Sequence, residues 1–195
     1  MNMAADPILR ANARKRHDRG FDPDFPMKKT PLMIIFSIVF IDLLGFGIVI
    51  PILPSYAQRG FGASDITVGL LVASFSLMQL LFTPLWGRWS DRIGRKPVLA
   101  VGLGFTVIGY VMFGLAGSMF MLFASRMLAG IGGSNISAAQ AYIADVTEVH
   151  DRAKGMGLIG AAFGLGFVFG PVIGGLLSVY GYEVPGLAAA GLSLI

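Results

Sequence analysis

Two charged side chains stand inside otherwise apolar stretches of this chain, Asp42 and Arg126. Asp42 lies about eleven residues into the stretch 31–54, roughly 16 Å along a helix and so at the middle of a bilayer. A carboxylate at that depth is costly unless it meets a cavity or a partner, and its natural chemistry there is reversible proton binding. The alternative is a structural carboxylate bonded to a neighbouring helix. Arg126 either faces the same interior or snorkels to the surface roughly 10 Å away. Gln79, Ser134, Asn135 and Gln140 are the other polar side chains of interest; they are candidates for a substrate pathway or for hydrogen bonds between helices. The chain has no cysteine, and its two histidines, His17 and His150, lie far apart in polar segments. No thiolate, metal or nucleophile chemistry is indicated, and no cofactor is expected.

A second constellation is the segment 87–99, Gly-Arg-Trp-Ser-Asp-Arg-Ile-Gly-Arg-Lys-Pro-Val-Leu. Four cations, Arg88, Arg92, Arg95 and Lys96, surround one acid, Asp91. A short basic loop between two apolar segments makes them neighbours and holds their ends on the cytoplasmic side. That role needs only charge, whereas Gly87, Asp91, Arg92, Gly94 and Arg95 stand in a specific pattern. Asp91 could cap a helix end or pair with a cation. Further on, Asp145 opens another short polar segment, 145–154, expected on the same side. A glycine series, Gly166, Gly170, Pro171, Gly174 and Gly175, gives one helix a smooth face for close packing. It is not a phosphate loop, because no strand precedes it and no lysine follows. The packing partner is expected to be the second helix or its counterpart across an internal repeat.

The elements that must position these residues follow from composition. Of 195 residues, 55% are hydrophobic and 13% charged, and the mean hydropathy is +0.73. This is the make-up of an all-α membrane protein. Helices are expected at about 31–54, 66–86, 97–116, 120–143 and 155–177, with a partial sixth at 185–195, too short to span. Ser64 is placed to cap the second. Residues 1–30 form a basic tail with interleaved acids. Of the fifteen Lys and Arg residues, seven fall in this tail, four in 87–99 and two in 145–154. That bias puts the N-terminus in the cytoplasm of a multi-pass protein of the cell inner (plasma) membrane. The net charge of +4 is explained by this placement, and no nucleic-acid partner is expected.

The pattern Gly-x-x-x-Asp-Arg-x-Gly-Arg-Lys-Pro at 87–97 resembles the signature between the second and third helices of the major facilitator superfamily. Asp42-Leu-Leu-Gly-Phe-Gly-Ile-Val-Ile-Pro, Arg126-x-x-x-Gly-x-Gly-Gly and the helix 5 glycine series resemble further motifs of its tetracycline and multidrug proton antiporters. The resemblance covers nearly all of 31–195 and implies the N-terminal six-helix bundle of a secondary transporter with alternating access. It implies proton coupling through Asp42 and Arg126, a small-molecule substrate such as a drug, and a cytoplasmic latch of Gly87, Asp91, Arg92, Gly94, Arg95 and Asp145. It also implies partners: membrane lipid, protons and a missing C-terminal six-helix bundle, without which the fragment should be inactive. A metabolite or sugar transporter of the same superfamily, or a non-transporting fragment that joins a partner half, is the alternative. One departure stands out: Gly109 precedes Tyr110, where the tetracycline antiporter pattern has an acid.

Overall fold

The computed structural model describes residues 29–194, and the reading of a cytoplasmic tail falls almost wholly outside the described residues. The helices are α1 (Lys29–Val49), α2 (Asp65–Ile93), α3 (Arg95–Gly114), α4 (Met119–Gly132), α5 (Asn135–Val146), α6 (Arg152–Ser178) and α7 (Glu183–Leu192). No strand occurs among the described residues. Four of these helices, α1, α2, α3 and α6, are long and apolar enough to cross a membrane.

Several boundaries differ from the expected ones, each for a local reason. The first segment does not run unbroken to residue 54. It ends at Val49, turns through Pro51, which has no N–H to give, and resumes as the single turn Leu53–Ser55. A π-helical turn, Tyr56–Gly60, follows. Ser64 caps α2 by accepting from the Thr67 amide at 3.3 Å. The largest correction concerns 87–99, which is not a loop. α2 continues as helix to Ile93, α3 begins at Arg95, and Gly94 alone separates them. Gly94 has φ +96° and ψ 155°, a conformation that essentially only glycine adopts. Pro97 falls in the first turn of α3, where a missing donor costs least.

The segment expected as one helix over 120–143 is also interrupted. α4 stops at Gly132, Gly133 and Ser134 form a turn, and α5 starts at Asn135. Gly130 and Gly132 make this region slim: a Cβ on Gly130 would meet the Phe75 carbonyl, and one on Gly132 the Thr106 hydroxyl.

The glycine face of α6 packs on α1, not on the second helix. A Cβ on Gly47 would lie 2.7 Å from the Gly166 carbonyl oxygen and 3.1 Å from the Gly170 Cα. Gly166 and Gly174 meet Leu43 and Ile48 in the same way, while Gly175 faces open space. Side chains of any size would separate these helices, so the small residues set the spacing.

Two apolar clusters form the interior. One gathers Ile48, Leu53, Tyr56, Leu71, Phe113, Leu122 and Ala189; the other gathers Leu32, Val39, Trp86, Val98, Ala138, Ile143 and Ile159. Six of the buried polar residues, Asp42, Thr106, Ser125, Arg126, Ser134 and Asn135, come from α1, α3, α4, α5 and the turn between the last two; Ser90 on α2, Thr147, Asp151 and Ser193 are the others among the described residues. α2 is the least covered of the long helices, and Leu70, Leu77, Leu80, Leu81 and Leu85 lie exposed along it.

Candidate functional site

Asp42 is buried in the middle of α1, 8% exposed, and lines a cavity of about 280 Å³. The walls are mainly aromatic and aliphatic: Phe46, Phe75, Phe163, Phe167, Tyr110 and Ile136. Gln79 is the other polar side chain that α2 brings to this wall, beside the Gly133 backbone. Phe46 holds the rings together, 4.9 Å from Phe75 and 5.9 Å from Phe167 between centroids. A mostly apolar cleft with a few converging polar groups is the usual form of a small-molecule site.

Tyr110 is a wall residue that sequence reasoning noted only for its neighbour. It is 2% exposed, and its hydroxyl points to the Asp42 main-chain carbonyl at 3.4 Å. Gly45 makes room for it: a Cβ there would lie 2.6 Å from the tyrosine ring. The pairing of a glycine on α1 with an aromatic on α3 leaves no signal in either local stretch.

Arg126 does not snorkel. It is 1% exposed on α4, with its guanidinium carbon 4.9 Å from the centroid of the Phe113 ring. That contact offsets part of the cost of burying the cation, by ~2 kcal/mol when desolvated. None of its three side-chain nitrogens has a hydrogen-bond partner among the described residues. Arg126 does not belong to the lining of the Asp42 cavity, and no ion pair joins the two residues among those described. In this arrangement Asp42 lines the cavity and Arg126 does not.

The four proposed pathway residues separate. Gln79 reaches the cavity and donates to the Gly133 carbonyl at 3.0 Å. Ser134 is buried, and its hydroxyl lies 3.2 Å from both the Gln79 and Gly130 carbonyls. Asn135 turns to α3 instead, donating to the Leu99 carbonyl at 3.3 Å and filling the space that Gly102 leaves open. Gln140 is exposed on α5, away from this cavity.

At one end of the bundle, Arg95 gathers three partners. It lies 2.7 Å from Asp91 and 2.9 Å from Asp145, and it donates to the Ser90 hydroxyl at 2.6 Å. The helical course of 87–93 makes this possible, since Asp91 and Arg95 stand one turn apart across Gly94. Arg92 is exposed, and Gly87 lies within α2 with open space beside it. The opposite end holds Tyr56, stacked on Tyr182 at 5.1 Å and donating to the Ala116 carbonyl at 2.7 Å.

No group of histidine, cysteine, aspartate or glutamate suited to a metal ion occurs among the described residues. The geometry offers a binding cleft, a carboxyl on its wall and a buried cation.

Comparison with known proteins places these features. A family model described as Major Facilitator Superfamily matches residues 35–195. The class C tetracycline resistance protein of Escherichia coli is 41% identical over 169 residues, covering 84% of this chain and 43% of that protein. Multidrug resistance protein 2 of Bacillus subtilis (strain 168) is 37% identical over 169 residues, covering 86% and 42%. Among solved structures, the human organic anion transporter MFSD10 (TETRAN) aligns with a TM-score of 0.73 at 28% identity, over 87% of this chain and 46% of that one. The chain thus spans somewhat under half the length of the relatives it matches. With its membrane-spanning helices in the arrangement of the N-terminal half of that fold, this chain belongs to the Major Facilitator Superfamily.

Proposed function

We propose that this chain supplies one wall of the substrate cavity of a proton-coupled secondary transporter and acts by joining a second six-helix bundle. The observation that carries this reading is Asp42, held 8% exposed at mid-helix on an aromatic-lined cavity. A carboxyl in that setting exchanges a proton when the cavity opens to water on one side and is closed on the other. Alternating access needs two walls that rock about the site, so the chain alone is inactive. Phe46, Phe75, Phe163 and Phe167 favour flat, amphipathic compounds, and Asp42 favours those with a positive centre. The relation to tetracycline and multidrug resistance proteins supports export of such compounds.

Arg126 supports a second reading of the substrate. A buried guanidinium with unused donors is suited to an anionic group that reaches it in another arrangement of the helices. The likeness to an organic anion transporter points the same way, toward a metabolite carrier.

The test is efflux from proteoliposomes under an imposed pH gradient, using a complete transporter that carries this half. Asp42→Asn should abolish gradient-driven efflux while equilibrium binding of substrate persists. The 195-residue chain by itself should give none. Normal gradient-driven efflux by the Asp42 variant would move proton coupling to another residue. Saturable efflux by the chain alone would end the half-transporter reading.

A further inference from the structure

We infer that Gln79 is a positioning residue: it holds the bend between α4 and α5 and passes the state of the cavity to the Arg95–Asp145 pair. This rests on the reading of the Asp42 cavity as the ligand site.

The argument begins at the bend. Side-chain hydrogen bonds fasten helix α2 to it. The Gln79 side-chain amide donates to the Gly133 carbonyl at 3.0 Å, and the Ser134 hydroxyl, with one proton, lies 3.2 Å from both the Gln79 carbonyl and the Gly130 carbonyl of its own chain segment. The Trp86 indole N–H donates to the Ile131 carbonyl at 2.7 Å. The end of α4 and the turn itself, whose Ser134 is the residue that precedes α5, are therefore held by one helix. The fit is close: a Cβ on Gly133 would stand 3.2 Å from the Phe75 ring and 3.5 Å from the Gln79 amide nitrogen. Carbonyls at an interrupted helix need donors, and here side chains of α2 supply them.

Gln79 and Gly133 are also wall residues of the cavity. A ligand that offers an acceptor to the Gln79 amide competes directly with the Gly133 carbonyl. The two pieces joined at the bend carry different groups. α4 bears Arg126, and α5 bears Asp145, which pairs with Arg95 at 2.9 Å. α2 touches Arg95 as well, through Ser90 and Asp91. The same two partners, α2 and α5, thus meet near the cavity and again at Arg95. α5 is about 18 Å long, short enough to turn as one body. Releasing its start from Gln79 changes the placement of Asp145 at its end.

The experiment is amide hydrogen exchange on the 195-residue chain in lipid nanodiscs, with the variants Gln79→Leu and Ser134→Ala. Loss of the Gln79 bond should speed exchange of amides 133–136 by about tenfold, and amides 144–147 should follow, with 98–110 unchanged. Ser134→Ala should give the same pattern at smaller amplitude, and it carries the test if Gln79→Leu does not fold. The chain has two tryptophans, so Trp89→Phe leaves Trp86 as the sole fluorescent reporter at the bend. Its emission should change in the Gln79→Leu background. Unchanged exchange at 133–136 would overturn the clamp. Faster exchange there with none at 144–147 would overturn the transmission. Uniform acceleration along the whole chain would mean a structural role only and would overturn both. None of these readouts involves transport, so this inference and the proton-coupling reading fail separately.

Discussion

Gly47 and Gly170 meet backbone to backbone: a Cβ placed on Gly170 would lie 2.6 Å from the Gly47 Cα. This contact lets α1 and α6 approach closely enough to set Asp42 between α3 and the aromatic face of α6. Gly170→Ala should therefore destabilise the bundle by ~1–3 kcal/mol through overpacking against backbone that cannot give way. Gly175→Ala, which meets nothing within 4 Å, should stay within about 0.5 kcal/mol. Thermal unfolding of both variants in the same detergent checks the contrast.

The Arg95 cluster should be weak in stability terms. Arg95 is 19% exposed, but Asp91 and Asp145 are 65% and 55% exposed. A double-mutant cycle with Arg95→Ala and Asp145→Asn should return a coupling of ~0.2–1 kcal/mol. The coupling should shrink in high salt, as expected for solvated ions. A function of this cluster in switching would then come from its geometry between α2, α3 and α5, and not from its strength.

The start of α6 should be sensitive to acid. Lys154 donates to the Asp151 carboxylate at 2.8 Å, and His150 stands 3.1 Å from its other oxygen. The Lys154 hydrogen bond chiefly, with His150 and the Lys154 charge, holds the Asp151 carboxyl below its ordinary value, against a smaller opposing effect of burial. A depressed folded-state value stabilises the fold above the unfolded value of about 3.9 and loses that effect as pH falls through the folded one. The protection factors of amides 152–156, after correction for the pH dependence of intrinsic exchange, should fall on acidification below about pH 4. Asp151→Asn should flatten that dependence.

Orientation can be tested with single cysteines, since the chain has none of its own. The Tyr56–Tyr182 stack marks one end of the bundle and the Arg95–Asp145 pair the other. Cysteines at positions 59 and 183 should react with an impermeant thiol reagent from outside the cell. Those at 92 and 152 should react only after permeabilisation, as the distribution of basic residues implies. Labelling of position 92 from outside would reverse the topology.

Hydropathy made the long apolar helices α1, α2, α3 and α6 legible, because lipid demands long apolar runs, whereas the helix expected over 120–143 is broken at Gly133–Ser134. Hydropathy did not reveal that α2 runs on to Ile93, because a helix that leaves the membrane trades apolar residues for Arg88, Asp91 and Arg92 without losing its hydrogen bonds. The resemblance to the superfamily's signature, more than charge alone, pointed to Asp91, Arg95 and Asp145, which the fold brings together. The glycines of α6 announced close packing but not the identity of the neighbour, since a smooth face fits any smooth face. Placing Arg126 under Phe113 required α3 and α4 to be packed first. The bend at Gly133–Ser134 depends on donors from α2, fifty or so residues away in the chain.

The single residue between α2 and α3 has a mechanical consequence. Gly94 fixes where the two helices meet but leaves their mutual angle to a pair of torsions. α2 has 29 residues, so it extends about 43 Å from that pivot. A swing of about 10° would carry its far end, near Asp65, through about 7 Å on that length. Arg95, one residue beyond the pivot, would hardly move. On that geometry alone the hairpin is a lever with its fulcrum beside the charged cluster: small adjustments among Asp91, Arg95 and Asp145 would be multiplied along the helix into larger displacements at its far end.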